Sequence, residues 1–451
     1  MKRDPNAKER IKQKPRVIGS FEDTGELPDL NWPEKAPRGA PQRGKERITD
    51  FPSRPAGEMT RLEKLRRRRR MRKVRLGVAC VLIAAGILAY FTGLYGASLA
   101  LVGDTFDSIR IALTPSEGYP ADLDVPGYVT AVPFAGGVAV LGEQDLKMIA
   151  ANGNEVYSVQ HSFSRPAITT GNTRVCLYNR NGSELVVYNR SRKLFENQYQ
   201  DPIYACAMSP NGTLAVFQQS TLTVYDPLFE PIFQWKTSEV PTALAFAQDN
   251  RQFAVGTPQS AGGALGGKVY LYTTDANAPD AATAVIDSAD GVPVGLQYLN
   301  SKQLLVVYNT YCAVYNTADG AQQARYDYGG RTLQSWAVSS GANNAVLLFG
   351  DGAHSSMTHL CVLDAQMTPL ADAAVSRIAT GVAATRTGAY VTTANSVLSY
   401  GLDGTYLGES VQEAHVNGLV ASGKLFLLTE GQVNVFAPPA AEQTASAAST
   451  S

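Results

Sequence analysis

The sequence predicts an all-β fold, an eight-bladed β-propeller, behind a single N-terminal transmembrane helix and a disordered cytoplasmic tail. Three observations predict it. One run of 28 residues, 76–103, carries no charge and follows a basic block. Beyond residue 128 a short strand pattern returns about every forty residues. One further strand is left over ahead of the first repeat.

The tail, residues 1–60, mixes Pro, Gly and charged residues with few aliphatics. Such a segment buries too little apolar surface to offset its ordering entropy, so it is expected to be disordered. Charge divides the chain in two. Of 40 Lys/Arg and 40 Asp/Glu, residues 1–103 hold 23 and 11, a net of +12, which leaves 104–451 at −12. Phosphate binding needs clustered Lys/Arg, so the acidic part carries no large nucleic-acid footprint. The basic run of the tail lacks interleaved aromatics, and no nucleic-acid partner is expected there either.

The juxtamembrane segment, 61–75, contains Arg66, Arg67, Arg68, Arg69, Arg70, Arg72, Lys73 and Arg75. Basic residues flanking a span stay cytoplasmic. They also attract anionic lipid, by about 1 kcal/mol each near the surface. Residues 76–103 exceed the roughly 20 apolar residues that cross a bilayer as a helix. The expected topology is a cytoplasmic N-terminus and an extracytoplasmic remainder, at the cell membrane. A cleaved signal peptide is the competitor, with a small-x-small site at Ser98-Leu99-Ala100. The length of the apolar run and the 75 residues before it argue for an uncleaved signal anchor. Ala85, Ala89, Gly93 and Ala97 fall on one stripe, where a second copy of the helix could make a weak homodimer. The general Gly/Ala richness of membrane helices accounts for the same stripe.

After a connector, 104–117, the repeats occupy 118–437 and a second disordered tail, 438–451, follows. Each repeat holds an anchor strand of alternating residues that ends in an aromatic or aliphatic residue, often followed by Asn or Asp. The anchors are Ile149, Tyr188, Tyr225, Tyr272, Tyr315, Leu363, Tyr400 and Phe436, at gaps of 39, 37, 47, 43, 48, 37 and 36. A period near forty built from short strands marks a propeller blade. A small-residue strand lies about 20 residues before several anchors, as at 204–208, 242–246 and 294–298, and reads as the crowded inner strand. An apolar second strand and a variable outer strand complete the unit, with Pro and Gly at the joints. The last unit has no room for an outer strand before Pro438-Pro439. The leftover strand, 118–125, is expected to complete it and close the ring; Pro120 is acceptable on a free edge. Seven blades is the alternative, if the weak first unit is something else.

The basic tail, single anchor helix, Asp-containing connector and Gly118-Tyr-Pro-Ala-Asp-Leu123 entry strand, followed by the repeats, resemble an uncharacterised clostridial family of membrane-anchored propeller-like proteins. More distantly the blade pattern is similar to quinoprotein-like and WD40-like propellers, including the non-enzymatic scaffold lipoprotein of the outer-membrane barrel assembly machine. The resemblance implies architecture and no chemistry. Quinoprotein dehydrogenases carry adjacent cysteines and a tryptophan at a fixed place in each blade. Here the three Trp are Trp32, Trp235 and Trp336, which speaks against a quinone.

No catalytic constellation stands out, and no cofactor is expected. Five scattered Cys exclude a disulfide scaffold. Cys176, Cys206, Cys312 and Cys361 fall in apolar strands, where thiols act as small hydrophobes, and Cys80 falls in the membrane run. Asp351, His354 and His359 form the densest group of ligand types, short of the three or four convergent ligands zinc needs. His161 and His415 read as surface or inter-blade residues. Residues 256–267 are Gly-rich but lack a Walker ending and lie between strands, so no helix dipole serves a phosphate. Asp122/Asp124 and Asp287/Asp290 are ordinary turn or edge carboxylates.

The resulting expectation is a non-enzymatic binding or scaffold module outside a bacterial membrane. The alternatives are an envelope glycan lyase or hydrolase with its site over the central channel, and a ligand sensor with a cytoplasmic reporter tail. Two units are long between their second and third strands, at 256–267 and 350–358. Loops in equivalent positions leave the disc on one face. A protein or cell-wall glycan partner is therefore expected near blades four to six, contacting Gly256, Gln259, Gly263, Leu265, Asp351, His354 and Met357.

Overall fold

The computed structural model describes residues 118–439, apart from 262, 275–280, 340, 342 and 351–357. They form eight four-stranded antiparallel sheets. Seven are built from consecutive strands and span 128–160, 166–198, 203–236, 243–288, 293–327, 333–374 and 381–411. The eighth runs outward from Val416–Ser422 through Lys424–Thr429 and Gln432–Val435 to Ala121–Asp122. Ala121 pairs with Val433 and Asp122 with Gln432, and the Leu123 amide donates to the Gly431 carbonyl at 2.7 Å. The ring has eight blades and is closed by the strand that precedes the first. The seven-bladed alternative falls because 128–160 is a complete blade.

The closing strand is shorter than the expected 118–125. Pro120 has no N–H to add to the ladder, and the flanks are held by side chains instead. Tyr119 packs its ring 5.5 Å from that of Phe426 and donates its hydroxyl to the Ala150 carbonyl at 2.7 Å. Leu123 is buried with Val138 and Val140 of blade 1 and Phe426, Leu428 and Val433 of blade 8.

Position within the blade explains composition. Second strands such as Gly137–Gly142, Arg174–Asn179 and Ala345–Phe349 are buried at every residue. Neighbouring blades cover both their faces, so they read as continuous apolar runs rather than alternating ones. Outer strands such as Lys193–Gln198 and Pro231–Lys236 are exposed at every third or second residue and stay polar on that side. The core is accordingly a series of inter-blade clusters. Leu305 and Val307 of blade 5, for instance, pack with Leu347 and Phe349 of blade 6.

The Asn or Asp after the anchor has a local cause. Asp226 Oδ1 accepts from the amides of Leu228 and Glu230, both at 2.8 Å. Asp364 Oδ1 does the same for Gln366 and Thr368, and Asn189 Oδ1 for Ser191 and Arg192. These Asx turns satisfy loop amides where the third strand hands over to the outer one. The ladder shifts register at that point, at Ile149, Tyr188, Tyr225, Tyr315, Leu363 and Tyr400.

The inner strands carry bulges of their own near the start, between Tyr128/Thr130, Ile203/Ala205, Pro293/Gly295, Leu333/Ser335 and Val416/Gly418. A bulge re-aims the residue it inserts. At two of them a glycine makes room for an aromatic of the next blade. A Cβ on Gly418 would lie 3.3 Å from the Tyr128 hydroxyl, and one on Gly295 only 2.3 Å from the Trp336 ring. Residues 1–117, including the basic block and the apolar run 76–103, lie outside the described residues. Among the described residues no helix is long and apolar enough to cross a membrane.

Candidate binding face

Turns between inner and second strands surround the mouth of the central channel on one face. A cavity of about 570 Å³ opens there, lined by groups such as Pro133, Thr169, Met208, Leu244 and Gln297, with no ionisable side chain among the lining residues. The opposite face carries the second-to-third-strand hairpins and the connectors between blades. It displays Val240, Leu265, Val294, Ile378 and Val411, between 45% and 69% exposed.

The 256–267 segment is not the loop the sequence reading expected. Residues 256–261 and 264–267 belong to two ten-residue strands, Gln252–Ala261 and Ala264–Thr273, paired without interruption to their tip. Gly256 pairs with Val269 and is buried. A Cβ there would press on Pro293, and one on Gly267 would come within 2.2 Å of the same ring. A Cβ on Gly266 would lie 2.2 Å from the Ser288 carbonyl. These glycines allow close approach of strands; they do not mark mobility. Gln259, opposite Gly266, is half-buried, while Gly263 and Leu265 are exposed at the tip. The base is pinned by Glu239, which accepts from Thr257 Oγ1 at 2.6 Å and from the Tyr270 hydroxyl. Burial, and then the Glu239 charge, push Tyr270 up to about 12.

Asp351, His354 and Met357 lie outside the described residues. The base of their hairpin is described: the Gly350 amide donates to the Thr332 carbonyl, and the Val375 amide to that of buried Thr358. His359 Nδ1 sits 3.4 Å from Asp372 Oδ1, and Asp372 also holds Arg331 at 2.7 Å. Among the described residues no three His, Cys, Asp or Glu gather as metal ligands.

Charged groups serve as rivets between elements. Arg325 lies 3.6 Å over the Tyr311 ring and reaches Asp290 at 2.8 Å and Asp327 at 2.6 Å. Its hydrogen bond holds Asp290 below the usual carboxylate range. Asp287 faces Lys268 at 3.6 Å. Glu409 is held low by the Ser396 hydroxyl and by Arg377. These pairs are spread along the blades and converge on no common point. Cys176, Cys312 and Cys361 are buried and Cys206 is half-buried, all as free thiols.

Sequence reading missed a second feature of this face, a cleft of about 610 Å³ between blades 5 and 6 lined by Val294, Asn309, Arg331, Gln334 and Trp336. The available signal was Trp336 itself, the bulkiest side chain in any of the inner strands.

Comparison with known proteins agrees with this architecture. The model of a family of unknown function, DUF5711, matches residues 121–435. The chain belongs to that family. Its first matched residue is the closing strand and its last the end of Gln432–Val435, so the family unit is the whole ring. No curated protein matches the sequence. Among solved structures, this DUF5711 chain is similar to BamB from Moraxella catarrhalis at 13% identity and a TM-score of 0.50, covering 71% of this chain and 98% of that one. It is also similar to Chaetomium thermophilum Sqt1 bound to the N-terminus of the ribosomal protein L10, at 12% identity and a TM-score of 0.53, covering 71% and 100%. The C-terminal WD40 domain of Sif2 matches at 13% identity and a TM-score of 0.50, over 71% and 100%. At such identities the likeness concerns the fold. The clostridial membrane-anchored group suggested by the sequence is thus met at the level of a propeller family of unknown function.

Proposed function

We propose that this chain is a membrane-anchored, non-enzymatic binding or scaffold module of the bacterial envelope, with its propeller outside and its basic tail inside. The observation that carries this reading is the run of exposed apolar side chains from blades 3 to 7 on the face opposite the channel mouth, together with the neutral lining of the mouth's cavity. Hydrolysis or elimination needs an acid and a base within reach of one bond, and the cavity at the channel mouth is lined by neutral groups, the charged Asp249, Arg251, Lys302 and Arg386 of the surrounding turns standing outside its lining. The opposite rim presents apolar side chains from several blades, the composition of a docking surface. The fold neighbours support a protein partner, since Sqt1 is seen with a ribosomal protein N-terminus. The anchor rests on the uncharged run 76–103 and the eight basic residues that precede it. The same basic residues would contact anionic lipid, and the small-residue stripe would allow a weak dimer.

Site-specific photocrosslinking in cells tests the face. A crosslinker in place of Leu265, at the hairpin tip, should capture a reproducible envelope partner. One in place of Leu228, 47% exposed on the opposite face, should not. Equal capture from both positions refutes the assignment. External protease on intact protoplasts should remove the propeller and spare the tail; a protected propeller refutes the topology.

A further inference from the structure

Trp336 occupies an unusual place. It sits in the inner strand Leu333–Val338, and its indole edge rests on the backbone of the inner strand Pro293–Asn300. Only a glycine at 295 permits this: an added Cβ would lie 2.3 Å from Cζ2 and 2.9 Å from Nε1. The ring packs below against the cluster that contains Leu305, Val307 and Phe349. A half-buried Trp N–H usually finds a partner. This one has none among the described residues, and it is not sealed from solvent.

The cleft above the indole is neutral. Its one charged group, Arg331, has its charge paired with Asp372 and uses three of its five N–H donors. Nε donates to the Tyr328 carbonyl at 3.0 Å, Nη1 to Asp372 at 2.7 Å and Nη2 to the Tyr326 hydroxyl at 2.5 Å, while the guanidinium lies 4.2 Å over Phe349. Asn309 is exposed and spends Oδ1 on the Val292 amide at 2.8 Å, which leaves both Nδ2 hydrogens unused. Thr332 is exposed and its hydroxyl has no partner among the described residues. Val294, 45% exposed, forms an apolar wall.

An aromatic ring, an apolar wall and uncommitted neutral donors within one cleft fit a ligand that is apolar on its ring faces and rich in oxygen acceptors at its edge. About 610 Å³ lies within the usual range of small-ligand sites, roughly 300–1,000 Å³. We propose that the cleft between blades 5 and 6 binds a neutral oligosaccharide, with Trp336 as the stacking surface and Asn309 and Thr332 as hydrogen-bonding groups. Anionic glycans are disfavoured because the charge of Arg331, the one cation lining the cleft among the described residues, is already met by Asp372. The proposal rests on the reading of this face as the binding face and names one partner class for it.

The test is calorimetric titration of the full chain, solubilised in a detergent without a sugar headgroup, with chitotriose, cellotriose and mannotriose, and with a neutral hexapeptide as the competing class. At least one trisaccharide should bind saturably and change the tryptophan emission. That change should vanish in Trp336→Phe, whose Trp32 and Trp235 remain as the background. Trp336→Phe should weaken binding about tenfold, the scale of an aromatic contact. The double variant Asn309→Ala/Thr332→Ala should weaken it by about five- to tenfold through lost hydrogen bonds. Both of its sites are exposed, so the fold is kept. The proposal is overturned if no trisaccharide binds at millimolar concentration, if binding survives both variants, or if only the peptide binds and Trp336→Phe abolishes that. The Leu265 crosslink reads the face independently: a partner captured there without saccharide binding would sink the cleft and leave the face standing.

Discussion

Leu123→Ala tests the closure of the ring at its narrowest point. The side chain is 5% exposed and bridges blade 8 to blade 1. Truncation removes three carbons, worth roughly 2.4 kcal/mol at about 0.8 kcal/mol each. The cavity left behind adds to this, for a total of about 3 kcal/mol. The closing strand itself has few other holds: two paired residues, the Leu123 amide, buried Ala121, and Tyr119 with its hydroxyl and ring. A loss of that size raises local opening roughly a hundredfold. Native-state hydrogen exchange of the full chain, followed by mass spectrometry on peptides containing Phe426 and Val433, should show acceleration confined to blades 8 and 1. Asp122→Ala is the control, an exposed neighbour in the same strand, with an expected change within about 0.5 kcal/mol. The exposed edge should also make Leu123→Ala more prone to aggregate. If both variants exchange the seam amides at the same rate, Ala121–Asp122 does not close the ring.

Other outcomes follow from single contacts. Gly137→Ala would place a Cβ 2.0 Å from the Ile149 carbonyl, a backbone clash; a loss of about 3 kcal/mol or more is expected in urea unfolding. Asp226→Ala forfeits two loop hydrogen bonds and should cost about 1–2 kcal/mol, most of it restored in Asp226→Asn. Burial pushes Cys312 up to about 12 and raises Cys361, so iodoacetamide at pH 8 should spare both until the chain is unfolded, as peptide mapping would show. Asp290 is held low by Arg325, Glu184 by the Asn179 amide and Glu409 by Ser396 and Arg377. Their contribution is present above the ordinary carboxylate range and is lost as pH falls through it and below. The urea midpoint should therefore be level near neutrality and drop towards pH 3.

The repeat was legible because each blade writes its turn chemistry into the chain. Asp226 and Asp364 follow their anchors because the next loop needs an acceptor for two amides. The sequence-defined strands 145–149, 221–225 and 359–363 coincide with the observed Asp145–Ile149, Thr221–Tyr225 and His359–Leu363. The continuous apolar second strands were legible for a related reason: burial on both faces removes the alternation that a one-sided strand would show. The 256–267 hairpin was misread because glycine signals both freedom and closeness, and only the position of Pro293 and the Ser288 carbonyl tells which applies. The cleft was invisible to periodicity. Its two defining residues, Gly295 and Trp336, belong to different blades, and a pattern within blades carries no information about which glycine faces which ring. Of the apolar rim, Leu265 was expected from the sequence; Val240, Val294, Ile378 and Val411 escaped for the same reason, each coming singly from a connector or strand end of a different part of the ring.

The pairing of Ala121 with Val433 has a consequence for biosynthesis. The outer strand of the last blade emerges from the ribosome before any other strand of the ring, and its partner emerges after all the rest. At roughly 5–20 residues per second, the interval over some 310 residues is on the order of 15 to 60 seconds. During it blade 1 can fold on itself, but Val138, Val140 and Ile149 have no cover until Phe426 and Leu428 arrive. The nascent ring is an open arc with an apolar face at its leading end. Seven blades can add in sequence by local contacts, and the final step alone joins the two ends of the arc. A chaperone or a translocation channel that shields the leading face for that interval would act on this one seam, and a truncated chain that never reaches blade 8 would leave it bare.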